Sequence, residues 1–217
     1  MAKITRRAYP ITVKNKPIYN IIKRVSDLVL SLIALVVLSP LFLIVAIIVK
    51  SDGGPAFFKQ KRVGKGGKTF NLYKFRSMVV NADSPEMLEK LREFNELDGP
   101  AFKMKNDPRI TKIGRFIRKM SIDELPQLIN IIAGDMSIVG PRPPLVTEVE
   151  CYDEYQRQRL LVKGGLTCYW QCSGRNEISF DEWVELDLDY IEQRSVLTDI
   201  KIILKTVPSV LSGEGAY

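Results

Sequence analysis

Histidine is absent from the 217 residues, and cysteine occurs only at Cys151, Cys168 and Cys172. Without histidine, the ligand that usually completes a zinc site is missing. Histidine-dependent catalysis is excluded too, so acid, base and nucleophile roles fall to carboxylates, Lys, Tyr, Ser or Cys. Three cysteines form no paired set; they read as reduced thiols of a cytoplasmic compartment, with a Cys168–Cys172 disulfide as the alternative. No internal repeat or disordered linker is evident, and the length suits one core. Basic residues outnumber acidic ones by 32 to 25, a net charge of +7 that favours anionic partners such as phosphorylated substrates, anionic lipid or nucleic acid.

One long stretch lacks charge altogether. Leu28 to Val49 carries no acidic or basic residue and meets the length of about 20 residues that a bilayer-crossing helix needs. A secretory signal fits poorly, because the run starts late and passes into Lys50-Ser51-Asp52 with no cleavage pattern. Lys14, Lys16, Lys23 and Arg24 precede it, and Lys50, Lys59, Lys61 and Arg62 follow it, so the preference for cytoplasmic positive charge pulls on both ends. In its middle stand Ser39 and Pro40. Proline cannot donate to the Val36 carbonyl and crowds that turn, while the Ser39 hydroxyl is placed to bond back to Leu35. A helix–break–helix that dips into one leaflet and returns is the expectation; a Pro-kinked spanning helix is the alternative.

In the remainder, Ala56 to Phe58 and Thr69 to Phe75 read as the two strands of a hairpin joined through Val63 to Lys68. Gly67-Lys68-Thr69 is no phosphate loop, because Arg62 stands where that motif requires its first glycine. Ser84-Pro85 starts a helix with Met87, Leu88, Leu91 and Phe94 on one face, directed at the core or at lipid. Ile110 to Met120 reads as a basic amphipathic helix, and a second helix is expected to begin near Asp123 and to run to Gly134. Pro141-Arg142-Pro143-Pro144 must be a stiff, non-helical mount for Arg142. A turn at Gly164-Gly165, the pair Tyr169-Trp170, and an acidic, apolar-alternating segment from Asp181 to Glu192 follow.

Asp123 and Glu124, at an expected helix N-terminus and downstream of Arg118, are suited to holding a divalent cation or attacking phosphorus. Acidic residues in a first helical turn are also ordinary stabilisers, and Ser121 with Glu124 matches a capping box. The basic groups Lys74-Phe75-Arg76, Arg115 to Lys119 and Arg142 suit phosphate clamping, with solvated positive faces as the bland reading. Phe70, Tyr73 and Phe75 between basic residues belong to no known nucleic-acid module, and no nucleic-acid partner is expected.

Taken in order, Lys23-Arg24-Val25-Ser26-Asp27, Ser39-Pro40, Lys74-Phe75-Arg76-Ser77-Met78, Asp123-Glu124-Leu125-Pro126-Gln127-Leu128, Gly134-Asp135-Met136-Ser137, Val139-Gly140-Pro141-Arg142-Pro143, Gly165-Leu166-Thr167, Trp170-Gln171, Ser173-Gly174-Arg175 and Glu185-Leu186-Asp187 form a recognisable series. The chain beyond residue 20 resembles the bacterial sugar transferase family. These are monotopic polyprenyl-phosphate phosphoglycosyl transferases that start exopolysaccharide, capsule and glycoprotein glycan assembly.

The resemblance implies an α+β, mostly helical fold. A re-entrant membrane helix broken at Ser39-Pro40 would occupy about residues 20–50. A compact cytoplasmic part over 51–217, with amphipathic interfacial helices and a small β-hairpin, would complete a single catalytic domain. It implies transfer of a sugar 1-phosphate from a UDP-sugar to polyprenyl (undecaprenyl) phosphate at the cytoplasmic face of a bacterial inner membrane. In that scheme Asp123 is nucleophile and Mg2+ ligand, Glu124 completes the dyad, and Arg118, Arg142, Lys74 and Arg76 bind substrate phosphates. Cys168-Tyr169 departs from the smaller residues of relatives, and the chain reads as a minimal form without their extra membrane domain. Homo-oligomerisation is left open, and a non-enzymatic, membrane-anchored binding protein is the alternative.

Overall fold

In a computed structural model describing residues 10–96, 104, 106–172 and 178–212, the apolar run forms helix α1 (Pro17–Val37) and helix α2 (Ser39–Lys50). The two meet at a 62° bend. Pro40 leaves the Val36 carbonyl without its helical donor, and the Ser39 hydroxyl supplies one at 2.7 Å. The compensation therefore lands on the orphaned acceptor itself and not on Leu35, because a serine one residue before the proline reaches back three positions. Among the described residues no single helix is long and apolar enough to cross a membrane, whereas this bent pair is. Its outer face leaves Val36 at 72% and Leu43 at 64% exposure, an apolar surface that water does not favour.

Strand β1 (Phe57–Val63) pairs antiparallel with β2 (Thr69–Phe75), from Phe57 opposite Phe75 to Val63 opposite Thr69. The first strand is longer than its sequence suggested. Lys59, Gln60, Lys61 and Arg62 hide the alternation, yet the ladder carries them in register. The connecting turn places Gly66 and Gly67 at φ of 68° and 80°, a region that L side chains avoid.

Helices α3 (Pro85–Leu91), α4 (Lys112–Lys119) and α5 (Gln127–Ala133) follow. The α3 start is as expected, with Ser84 Oγ accepting from Met87 N–H, and α4 is capped by Thr111, whose hydroxyl accepts from Gly114 N–H at 2.9 Å. The helix expected to begin near Asp123 does not. Residues Ile122–Glu124 form a single 3-10 turn entered through Ser121 at φ 53°, with no Ser121 cap, and α5 starts only after Pro126. Asn130 locks α5 to β2: its Nδ2 donates to Asn71 O at 2.7 Å and its Oδ1 accepts from Tyr73 N–H at 3.0 Å. At its end, α5 passes into Gly134 at φ 92°, as the sequence required.

Strand β3 (Ser137–Val139), helices α6 (Val146–Glu150) and α7 (Glu154–Arg157), and strand β4 (Gly165–Thr167) come next, then α8 (Tyr169–Cys172), α9 (Phe180–Gln193) and α10 (Val196–Ser212). The parallel β3–β4 pair is too short to show periodicity in the sequence. Cys168 is buried, its thiol donating to Gln171 Oε1 at 3.6 Å. The Ser173-Gly174-Arg175 motif lies outside the described residues.

Polar residues in the first half of α1 bind it to this body. Arg24 donates to the Ile131 and Ile132 carbonyls at the end of α5, where unpaired carbonyls favour a cation. Asp27 accepts from Ile138 N–H at 3.0 Å, and Lys23 pairs with Asp199 on α10 at 2.8 Å. At the other end, Val45 and Val49 of α2 pack with Phe75 and Ile117. The bent pair is thus fixed to the body on both limbs.

The largest core joins Val139, Tyr152, Trp183, Leu188, Ile191 and Ile202 around a buried ion pair. Arg159 Nε meets Asp187 Oδ2 at 2.7 Å, its Nη1 donates to the Tyr152 hydroxyl at 2.6 Å, and its guanidinium lies over the Trp183 ring. Truncating one member strands the other charge in the core. Arg159→Ala is therefore expected to cost about 3–5 kcal/mol, measured as a fall in apparent Tm of the detergent-solubilised protein. The pair Arg159→Met with Asp187→Leu, which removes both charges, is expected to recover most of that loss. An unchanged Tm for Arg159→Ala alone would refute the account.

Candidate active site

Three segments distant in sequence meet at Glu124. The 3-10 turn Ile122–Glu124 presents it, the penultimate residue of β2 brings Lys74, and the Pro141–Pro144 loop brings Arg142. Lys74 Nζ lies 2.9 Å from Glu124 Oε1, and Arg142 Nη1 reaches the same oxygen at 3.3 Å. The loop is held by backbone contacts. Gly165 N–H donates to Pro141 O and Gly140 N–H to Thr167 O, and a Cβ on Gly165 would meet Gly140 N at 2.1 Å. Only glycine permits that approach, which is why the Gly165-Leu166-Thr167 strand can fasten the arginine-bearing loop.

Asp123 sits one residue before this junction, 7% exposed, and its carboxylate makes no hydrogen bond or ion pair among the described residues. Burial pushes it up to about 6; Lys74 opposes that shift, Glu124 adds to it, and Arg118 and Arg142 oppose it more weakly. The sequence suggested a carboxylate at a helix N-terminus, where the positive helix end favours the ionised form. In the fold no helix end lies there, and removal from water outweighs the cations. Glu124 behaves oppositely: burial would raise it, but Lys74 and Arg142 outweigh burial and hold it well below the usual carboxylate range. Two adjacent carboxylates are thereby driven apart, one paired and ionised, the other unpaired with its titration near neutrality. Such a separation assigns different tasks to chemically similar groups.

Of the residues singled out by sequence, Lys74, Asp123, Glu124 and Arg142 converge, and Arg118 acts on Asp123 through its charge. Arg76 does not join them. Its guanidinium is consumed by Asp52 and by the carbonyls of Val49, Pro55 and Met78, so it clamps the chain where α2 leaves for β1. Each of its nitrogens is engaged in these contacts, which sets Arg76 apart from the Glu124 junction. Ser39 and Pro40 lie at the bend. Sequence reasoning met Arg62 as a flank of the apolar run and as the residue that breaks the phosphate-loop pattern, and took no notice of Asn130. Arg62 is buried beside Lys74 and Arg142, and burial together with Arg142 pulls it down to about 10.

Among the described residues no three metal-ligating side chains cluster. A lone carboxylate still fits magnesium, which is bound through one or two carboxylates plus substrate phosphates and water. The unpartnered oxygens of Asp123 are the hard donors available.

Comparison with known proteins is consistent across nearly the whole chain. The sequence model of the bacterial sugar transferase family matches residues 18–213. A galactosyl transferase of Streptococcus agalactiae, CpsE, is 50% identical over 90% of the chain and 43% of its own length. The undecaprenyl-phosphate galactose phosphotransferase of Salmonella typhimurium is 46% identical over 90% of the chain and 42% of its own length. The exopolysaccharide production protein ExoY of Sinorhizobium fredii is 44% identical over 93% of the chain and 91% of its own length. The chain thus spans less than half of CpsE and the Salmonella protein but nearly all of ExoY.

The divided electrostatics can be measured directly. The Asp123 carboxyl, followed by isotope-edited infrared or carbon NMR, is expected to titrate near pH 6, above an exposed aspartate. Lys74→Met removes the strongest opposing charge and is expected to move the midpoint higher still. A midpoint near 4 in the parent protein would contradict the burial argument.

Proposed function

The chain belongs to the bacterial sugar transferase family, and on that premise we propose that it transfers a sugar 1-phosphate from a UDP-sugar to polyprenyl phosphate with Asp123 as covalent nucleophile. The observation that carries this reading is the buried, unpartnered Asp123 carboxylate beside a Glu124 already neutralised by Lys74 and Arg142. Among the described residues Asp123 has no hydrogen bond to surrender before it attacks, and the neighbouring cations favour an approaching phosphate.

In the first half-reaction an Asp123 oxygen forms a bond to the β-phosphorus, and the bond from that phosphorus to the bridging oxygen breaks. UMP departs with the electron pair, leaving a sugar-phosphoryl aspartate. In the second, an oxygen of the polyprenyl phosphate attacks the same phosphorus, and Asp123 leaves as a carboxylate. Magnesium, bound by Asp123 together with diphosphate oxygens, would neutralise diphosphate charge. Arg142, held rigidly between Pro141 and Pro143, offers a planar fork to phosphate oxygens, and Glu124 keeps Arg142 and Lys74 aimed. Arg118 adds positive potential at the attacking carboxylate.

The second substrate is a lipid, and the reading places the protein on the cytoplasmic face of a bacterial inner membrane. The 62° bend at Ser39-Pro40 and the exposed apolar faces of α1 and α2 support a re-entrant pair. Packing of Val45 and Val49 against Phe75 and Ile117 then sets the body close beneath the lipid surface. The prenyl chain stays among lipid tails while its phosphate reaches Asp123. This step would begin assembly of a surface polysaccharide or glycoconjugate.

Incubation with a panel of UDP-sugars and magnesium, without lipid acceptor, is expected to give stoichiometric UMP and a sugar-phosphate adduct on the peptide containing Asp123. Polyprenyl phosphate discharges it. Asp123→Asn is expected to lower turnover at least a thousandfold, since an amide keeps the shape but not the nucleophilicity. UMP released only when both substrates are present, with no adduct, would instead indicate direct displacement.

Topology provides an independent check. Cysteine labelling at engineered sites flanking α1 and α2 is expected to place both ends in the cytoplasm, and Ser39→Ala with Pro40→Leu to shift part of the population to a straight span. Labelling of the unmodified N-terminus from the periplasm alone would defeat the re-entrant reading.

A further inference from the structure

Beside the Glu124 junction a small cleft is lined by Arg62, Lys74, Gln127 and Arg142 together with Leu72, Pro143, Gly165 and Leu166; Asp123 is not part of its lining. Its chemistry is not accounted for by the contacts already described. Lys74 and Arg142 share Glu124, but Arg62 is paired only with neutral groups: Nη1 donates to Pro143 O at 3.0 Å and Nη2 to Gln60 Oε1 at 2.9 Å. Its Nε is fully buried and has no hydrogen-bond partner among the described residues. Gln127, at 3% exposure, makes no side-chain hydrogen bond among the described residues either. A buried guanidinium donor left unmade is costly in a folded protein. Glu124 and Glu148 both act on Arg62 through their charge, yet neither carboxylate bonds to its Nε.

We infer that Arg62 is a substrate-contacting residue of this site, its Nε donating, together with Lys74 and Arg142, to the phosphate that leaves with the nucleotide. The inference rests on the reading of the chain as a UDP-sugar phosphoglycosyl transferase. The attacked phosphorus belongs at Asp123, which does not line the cleft; Lys74 and Arg142 belong to both. A diphosphate with its β-phosphorus at Asp123 therefore extends past Lys74 and Arg142 toward Arg62. Negative charge grows on that second phosphate as the bridging bond breaks, so a fixed donor there acts most strongly in the transition state. With Nη1 and Nη2 already anchored, Nε is pre-oriented and needs no reorganisation. The Gln127 amide supplies an additional uncharged donor to the same oxygens.

A purely structural role for Arg62, bracing the Arg142 loop through Pro143, makes a different prediction. Affinity for UDP in the presence of magnesium is measured by calorimetry on the full chain in nanodiscs, with folding checked by Tm. Arg62→Lys is expected to weaken UDP binding about tenfold, the scale of one hydrogen bond to a charged group, and to do so equally in an Arg142→Lys background. A brace acting only through Arg142 would lose its effect in that background. Gln60→Glu leaves the Pro143 contact in place but sets a carboxylate against Arg62 Nη2, and is expected to weaken UDP several-fold. Should Arg62→Lys fail to fold, Gln60→Glu decides alone. UDP affinity that is normal in both variants, or an Arg62 effect absent when Arg142 is lysine, overturns the inference while leaving the transferase reading intact. Failure of the parent protein to bind UDP at all overturns both.

Discussion

Glu124 carries one oxygen to which Lys74 and Arg142 both bind, and the candidate site exists only because that junction forms. It ties the end of a hairpin strand, a 3-10 turn and a proline-framed loop, segments that share no local contact in the chain. Each is held by other means as well: Asn130 stitches β2 to α5, and the glycine-lined approach of Gly165 to Gly140 fastens the loop. The ion pairs then align what the backbone has brought near. Since both cations spend their pairing on Glu124, Asp123 is left buried and unpaired beside them, and its carboxyl is driven toward neutrality of charge while its neighbour stays ionised. A surface dyad of the same sequence would show no such division, because water would solvate both groups alike.

The bent apolar pair depends on a second constraint, the missing proline donor. Its effect is local at Val36, where Ser39 repairs the lost bond, but the bend it imposes sends α2 back to pack against Phe75 and Ile117, next to Lys74. On the opposite limb, Arg24 and Asp27 spend their charges on α5 and the start of β3. Thus two of the basic residues before the apolar run are engaged within the protein itself. Arg24 caps a helix of the body and Lys23 joins α10, so charge that precedes the apolar run fastens α1 to the body.

Several readings from the sequence hold for clear reasons. Proline and glycine constrain the backbone wherever they stand, and so the break at Ser39-Pro40, the start of α3 and the end of α5 were legible. Others failed because a competing effect was invisible. The first strand extends through Lys59 to Arg62 because pairing with β2 supports charged residues that mask the alternation. The helix thought to begin at Asp123 is delayed by the left-handed Ser121 and by Pro126, which together favour a single tight turn. Arg76 belongs to a basic motif but is wholly taken up by Asp52 and nearby carbonyls.

By itself the sequence determined the chemical vocabulary: no histidine, an Asp-Glu pair, arginines on stiff or helical mounts, and an apolar run interrupted by proline. These follow from side-chain chemistry and from backbone limits that act over a few residues. Only the tertiary structure decided which basic groups face the dyad, which carboxylate is paired, and that Arg62 shares a cleft with Lys74 and Arg142. Those outcomes depend on distances between segments far apart in the chain and on how much water each group loses. Neither quantity is carried by any local run of residues.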